Sequence, residues 1–96
     1  MSVQFDGQSV VVTGAASGIG AVIARRFADA GARLVLSDID ESRLGAVADE
    51  VAASGAGRPI VKAGDLSRED VAGAVIRSAV DAFGALDVLI NNAGGG

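Results

Sequence analysis

Three glycines, Gly14, Gly18 and Gly20, follow a short apolar run in the stretch Val10–Gly20, VVVTGAASGIG. Glycine lets backbone N–H groups close around an anion because no Cβ stands in the way. Gly14 suits a tight turn off a strand. Gly18 suits a close approach of backbone to phosphate, and Gly20 the close packing of a helix on a sheet. An amphipathic pattern begins straight after them. A helix N-terminus there offers unpaired N–H groups and positive dipole to a pyrophosphate. Glycines after a strand also make plain turns, but three at this spacing between strand and helix favour the cradle.

Acids and amides recur downstream. Asp38 lies 18 residues after Gly20, close to the roughly 20 expected of an acid that holds a ribose 2′-hydroxyl. A carboxylate there repels a 2′-phosphate, and Ala15 and Ala16 bring no cation to hold one. These residues favour NAD over NADP. The plainer role for Asp38 is to cap a following helix, although Asp40 stands ready for that. Asp65 either hydrogen-bonds an adenine amino group or stabilises a turn. Asn91 and Asn92 either tie strand ends together or line a cleft. Lys62, the only lysine, is expected at a solvated edge position.

Alternating elements must carry these residues. Strands are predicted at Ser9–Thr13, Arg33–Ser37, Pro59–Ala63 and Leu86–Asn91. In the first of these the valines run on without alternating, as in a strand buried on both faces. Helices are predicted at Ile19–Ala30, Glu41–Ser54 and Arg68–Phe83. Ile19, Val22, Ile23 and Phe27 mark the inner face of the first, and Leu44, Val47 and Val51 that of the second. Val71, Val75, Ala79 and Phe83 form a ridge on the third. Gly31 is expected as a left-handed C′ residue, and Ser67 with Asp70 as a capping-box-like pair. The βαβαβαβ pattern with short connections implies an α/β fold: a doubly wound parallel sheet with strand order 3-2-1-4 and helices on both faces. Every strand then ends in a polar or glycine feature on one shared edge, where such sheets bind ligands.

Composition narrows the function. The chain has 96 residues, a net charge of −4 and no cysteine, histidine or tyrosine. With no basic stretch, nucleic acid is not an expected partner. Without cysteine there is no disulfide framework, thiolate metal site or cysteine nucleophile; no metal site is expected, and a cytoplasmic location is. The N-terminal residues have neither the basic nor the apolar region of a signal peptide. No apolar run approaches the roughly 20 residues of a membrane span.

The glycine spacing G-x-x-x-G-x-G departs from the common dinucleotide fingerprint G-x-G-x-x-G. TGAASGIG at Thr13–Gly20 instead resembles the T-G-x-x-x-G-x-G motif of the short-chain dehydrogenase/reductase family, and Asn91-Asn92-Ala93-Gly94 resembles its N-N-A-G motif. The resemblance implies the first part of a three-layer Rossmann-type domain over residues 1–96. It assigns Gly14, Ser17, Gly18, Ile19 and Gly20 to the phosphate side and Asp38 to the adenosine ribose. Asp65 and Leu66 flank the adenine, and Asn91, Ala93 and Gly94 run beside the nicotinamide half. The activity implied is hydride transfer between NAD and an alcohol/ketone pair by a full-length parent. The family's catalytic Asn, Ser, Tyr and Lys are expected beyond Gly96, so no catalytic residue is assigned here. A non-catalytic binding module, half of a split enzyme, or a non-functional remnant are the alternatives. Self-association through an exposed fourth strand is also expected.

Overall fold

A computed structural model describes residues 5–55 and 57–92. Along the chain, β1 (Ser9–Thr13), α1 (Gly18–Asp29), β2 (Arg33–Asp38), α2 (Glu41–Ala53), β3 (Ile60–Ala63), α3 (Glu69–Phe83) and β4 (Val88–Asn91) alternate as the sequence pattern implies. The four strands form one parallel sheet in the order β3-β2-β1-β4. β1 is the first strand in sequence yet central in space, and every one of its residues is buried. That explains its unbroken valines: both faces need apolar cover.

Val10, Val12, Leu34 and Leu36 lie on one face and pack with α1 and α2. Val11 and Val35 lie on the other, against Val75 and Ala79 of α3. The predicted ridge on α3 therefore faces the sheet, with Val75 and Ala79 fully buried. Leu44, Val47 and Val51 of α2 are buried as expected. Lys62 is exposed on the outer strand β3. Gly31, with φ of +90°, ends α1 in the left-handed region.

Two expectations fail. The inner face of α1 is Gly20, Ala21, Ala24 and Ala28, while Ile19 is 70% and Val22 44% exposed. Ile23 and Phe27 pack only at the margin of the core. The reason is distance: α1 approaches so closely that a Cβ at Gly20 would collide with the Gly14 carbonyl. Only small side chains fit beneath such a helix, so the larger residues flank the contact. The Ser67–Asp70 capping box is also absent. α3 begins at Glu69 with Arg68 as its N-cap and no capping side-chain bond. Ser67 bonds to Asp65, and Asp70 pairs with Arg68.

β4 is held in register at its start by a reciprocal pair. The Ser9 N–H donates to the Asp87 carboxylate (2.9 Å), and the Asp87 N–H donates to the Ser9 carbonyl (3.0 Å). Removing the acceptor leaves a buried donor unpaired. Asp87→Ala is expected to cost about 1–3 kcal/mol in a urea melt. An unchanged midpoint would show that the pair contributes nothing to the docking of β4.

Candidate cofactor-binding site

The parallel register brings the four strand ends to one edge. Thr13 stands opposite both Ser37 and Asn91, and Asp38 opposite Ala63. The strand order switches sides at β1: the first crossover leads to β2 on one side, and the last leads from β3 back to β4 on the other. The crevice between such strands is where open α/β sheets take ligands. A cavity of about 750 Å³ opens there, within the size range of small-molecule sites.

The loop after β1 forms its floor. Gly14 has φ of +64°, which lets the chain turn sharply off the strand. Ser17 is the N-cap of α1: its Oγ accepts from the Gly20 N–H (3.0 Å) and donates to the Gly14 carbonyl (2.8 Å). The three N–H groups that follow Gly14 are spent on β2 and on the loop itself. The Ala15 N–H donates to the Ser37 carbonyl (3.0 Å), the Ala16 N–H to the Asp38 carboxylate (3.0 Å) and the Ser17 N–H to the Gly14 carbonyl (3.2 Å). The next two N–H groups, of Gly18 and Ile19, have no acceptor among the described residues. They sit in the first turn of α1, where the helix dipole is positive. A built anion site has these features.

Asn92, the residue after β4, braces this loop. The Asn92 side-chain amide donates to the Gly14 carbonyl (3.3 Å) and to Ser17 Oγ (3.0 Å). Its backbone N–H donates to Thr13 Oγ1 (3.0 Å), and Thr13 Oγ1 also lies 3.0 Å from Asn91 Oδ1. The asparagines tie the strand ends, and both also line the cavity.

Asp38 stands at the end of β2, half-buried, beside the loop. Its other carboxylate oxygen accepts from the Asp40 N–H (2.9 Å), while Asp40 itself caps α2 by accepting from the Arg43 N–H (3.1 Å). Asp65 folds its own turn, accepting from the Ser67 N–H (2.9 Å) and hydroxyl (2.7 Å). Those two bonds, with the Arg68 charge nearby, hold its carboxyl below the ordinary carboxylate value. A depressed carboxyl stabilises the turn above the ordinary aspartate range, and the contribution is lost as pH falls through the depressed value. An NMR titration should place the Asp65 midpoint below that of aspartate in a short peptide. A midpoint at or above the peptide value would remove the turn from the account.

The cavity gathers Gly14, Ser17, Gly18, Ile19, Asp38, Asp65, Leu66 and Asn91 from the sequence-predicted set. Gly20 lies beneath the loop rather than in the cavity, and Ala93 and Gly94 fall outside the described residues. Gly64, which the sequence places on the same edge with Asp65, also lines the cavity, whereas sequence reasoning missed Ile39 and Ser67. Ile39 carried a signal: it is a large apolar side chain placed just before a helix N-cap, outside the helical period, and it is 72% exposed. With Leu66 it gives the cavity apolar walls suited to a flat ring. No Lys or Arg lines it. Phosphate held here relies on backbone N–H groups and the helix dipole. No group of acids that could hold a metal ion occurs among the described residues, and no helix among them is long and apolar enough to cross a membrane.

Comparison with known proteins agrees with this geometry. A family model described as short chain dehydrogenase matches residues 8–96. The chain is 47% identical over 91 residues to a 2,3-dihydroxy-2,3-dihydro-p-cumate dehydrogenase of Pseudomonas putida, covering 95% of this chain and 35% of that protein. The crystal structure of a hydroxysteroid dehydrogenase from Escherichia coli superimposes with a TM-score of 0.89 at 39% identity, over 97% of this chain and 39% of that one. A metagenomic short-chain oxidoreductase in complex with NADP gives a TM-score of 0.87 at 47% identity, over 96% and 41%. The chain thus spans about 35% of the length of the curated relative described here.

Proposed function

The chain belongs to the short-chain dehydrogenase family, whose model matches residues 8–96, and from that premise we propose that the strand-end cavity binds NAD in preference to NADP. The observation that carries this is the pairing of two open N–H groups, at Gly18 and Ile19, with a carboxylate at Asp38 in one cavity. The N–H groups and the α1 dipole take the pyrophosphate. Asp38 accepts hydrogen bonds from the adenosine ribose hydroxyls and repels a 2′-phosphate. Ile39 and Leu66 enclose the adenine between aliphatic walls, with Asp65 at its edge. Asn91 stands on the side of the nicotinamide half.

One relative is in complex with NADP, so the preference for NAD proposed for this chain rests on the group at the end of β2 rather than on the family. Here the local group is an acid without a neighbouring cation in the cavity. When bound, NAD supplies the hydride acceptor for an alcohol or the donor for a ketone. The residues described here bind and orient it. The family's proton-donating tyrosine is not among these 96 residues, so the reading assigns them cofactor binding and leaves turnover to the whole protein. A cytoplasmic location accords with the lack of cysteine.

Titrating NAD into ¹⁵N-labelled protein tests the placement. The Gly18 and Ile19 amide resonances are expected to move most. Shifts confined to other surfaces would place the ligand elsewhere.

Among the described residues no strand pairs with the outer edge of β4, and Leu89 there is 46% exposed. Ile76 and Val80 of α3 add 37% and 43% exposed apolar side chains. Such an edge invites pairing with another chain. We expect the 96-residue chain to self-associate. Light scattering should report a mass above the 9.4 kDa monomer, and a sharp monomer with cooperative melting would contradict this.

A further inference from the structure

Asp38 has a second attachment that ribose binding does not require. One carboxylate oxygen accepts from the Ala16 N–H (3.0 Å) inside the glycine-rich loop, and the other from the Asp40 N–H (2.9 Å) at the start of α2. We propose that Asp38 is also the positioning residue of the phosphate loop: by holding Ala16, it keeps the loop turned so that the Gly18 and Ile19 N–H groups stay open. This rests on the reading that the cavity takes a dinucleotide.

Ala16 is buried, at 5% exposure, so its N–H has little access to water. Its acceptor is a side chain, whereas its neighbours Ala15 and Ser17 bond to backbone carbonyls. Without the carboxylate, a buried donor is left unpaired, and the loop must turn to reach water. Any such turn carries Ser17, the next residue, with it. Ser17 caps α1 and precedes both open N–H groups. A carboxylate has about four acceptor positions. The two backbone donors take two of them, which leaves two for a vicinal diol, so the latch and ribose binding coexist. Asparagine cannot substitute. It has one acceptor oxygen, and its NH₂ would set a donor against either the Ala16 or the Asp40 N–H. The geometry thus requires a carboxylate even before any ribose arrives.

The test uses 2′,3′-dideoxy-ADP, which carries adenine and diphosphate but no ribose hydroxyl, beside ADP itself. If Asp38 acted only on the ribose, Asp38→Ala would leave the dideoxy ligand unaffected. Loss of a negative charge would even tighten its binding. We expect Asp38→Ala and Asp38→Asn each to weaken it about fivefold or more. In the ligand-free protein, both variants should speed Ala16 amide exchange about tenfold or more, with the central-strand amides of Val11 and Val35 unchanged. Equal or tighter dideoxy-ADP binding in the variants overturns the proposal, as does unchanged exchange at Ala16. If the unaltered chain binds neither ADP nor its dideoxy analogue, the dinucleotide reading falls and takes the phosphate consequence with it. The Ala16 exchange then still decides whether the latch exists.

Discussion

Replacing Asp38 with alanine is expected to lower NAD affinity about 10- to 100-fold and to narrow the preference over NADP. Hydrogen bonds to a charged group are worth about 1.5–3 kcal/mol, and each 1.4 kcal/mol is about tenfold in affinity. NAD loses the acceptor for its ribose hydroxyls. NADP loses a repulsive neighbour, since unit charges a few Å apart near a protein surface interact by about 4 kcal/mol. The two changes have opposite signs, so the ratio of affinities moves further than either affinity alone. The latch to Ala16 adds a penalty common to both ligands, which leaves that ratio intact. Equilibrium dialysis of the variant and the unaltered chain against each ligand measures it. An unchanged ratio would remove Asp38 from cofactor selection.

Gly20→Ala should be the most damaging single methyl group in the loop. The added Cβ meets backbone atoms, the Gly14 carbonyl and the Ala15 Cα, rather than the yielding end of a side chain. Either α1 lifts from β1 or the Gly14 turn opens, at a cost of about 3 kcal/mol or more, the upper part of the range for overpacking. That is a large share of a stability of about 5–15 kcal/mol. Gly18→Ala is the matched control. Nothing lies within 4 Å of its added Cβ, and its φ is not positive. It should fold as well as the unaltered chain, yet bind NAD more weakly, because the methyl group stands where phosphate approaches. Urea melts separate the two variants. Equal midpoints would mean that the close approach of α1 is not needed for the fold.

Much of the fold was legible because its sequence signals are chemical and local. The unbroken apolar run Val10–Val12, stopped by Thr13-Gly14, reads as a strand covered on both faces, and β1 is buried throughout. Short connections with right-handed crossovers then leave few arrangements besides 3-2-1-4. The face of α1 was not legible. Counting apolar size at helical spacing selected Ile19 and Val22, whereas the sheet took the small residues Gly20, Ala21, Ala24 and Ala28. Close approach rewards the absence of side chain, which a hydrophobicity pattern does not register. Ser67 and Asp70 failed for a related reason: the capping-box spacing is present, but Asp65 lies nearer to Ser67 and takes its hydroxyl.

The site was legible as residue types and illegible as a network. Gly14, Gly18 and Asp38 could be placed on one edge from topology alone. The Asn92 brace onto Gly14 and Ser17, and the Asp38 bond to Ala16, join residues 78, 75 and 22 positions apart. Bonds of that range follow from strand register, which sequence spacing does not reveal. Ser17 was assigned to the phosphate side by resemblance. It also carries a local role that its position before Gly18 signals, as a serine N-cap.

Calorimetric titration of the unaltered chain with NAD and with NADP tests the central claim most directly. The account predicts saturable binding of NAD at one site and at least about tenfold weaker binding of NADP, the equivalent of one well-placed charged contact. Binding of NADP as tight as or tighter than NAD, or no binding of either, would contradict it.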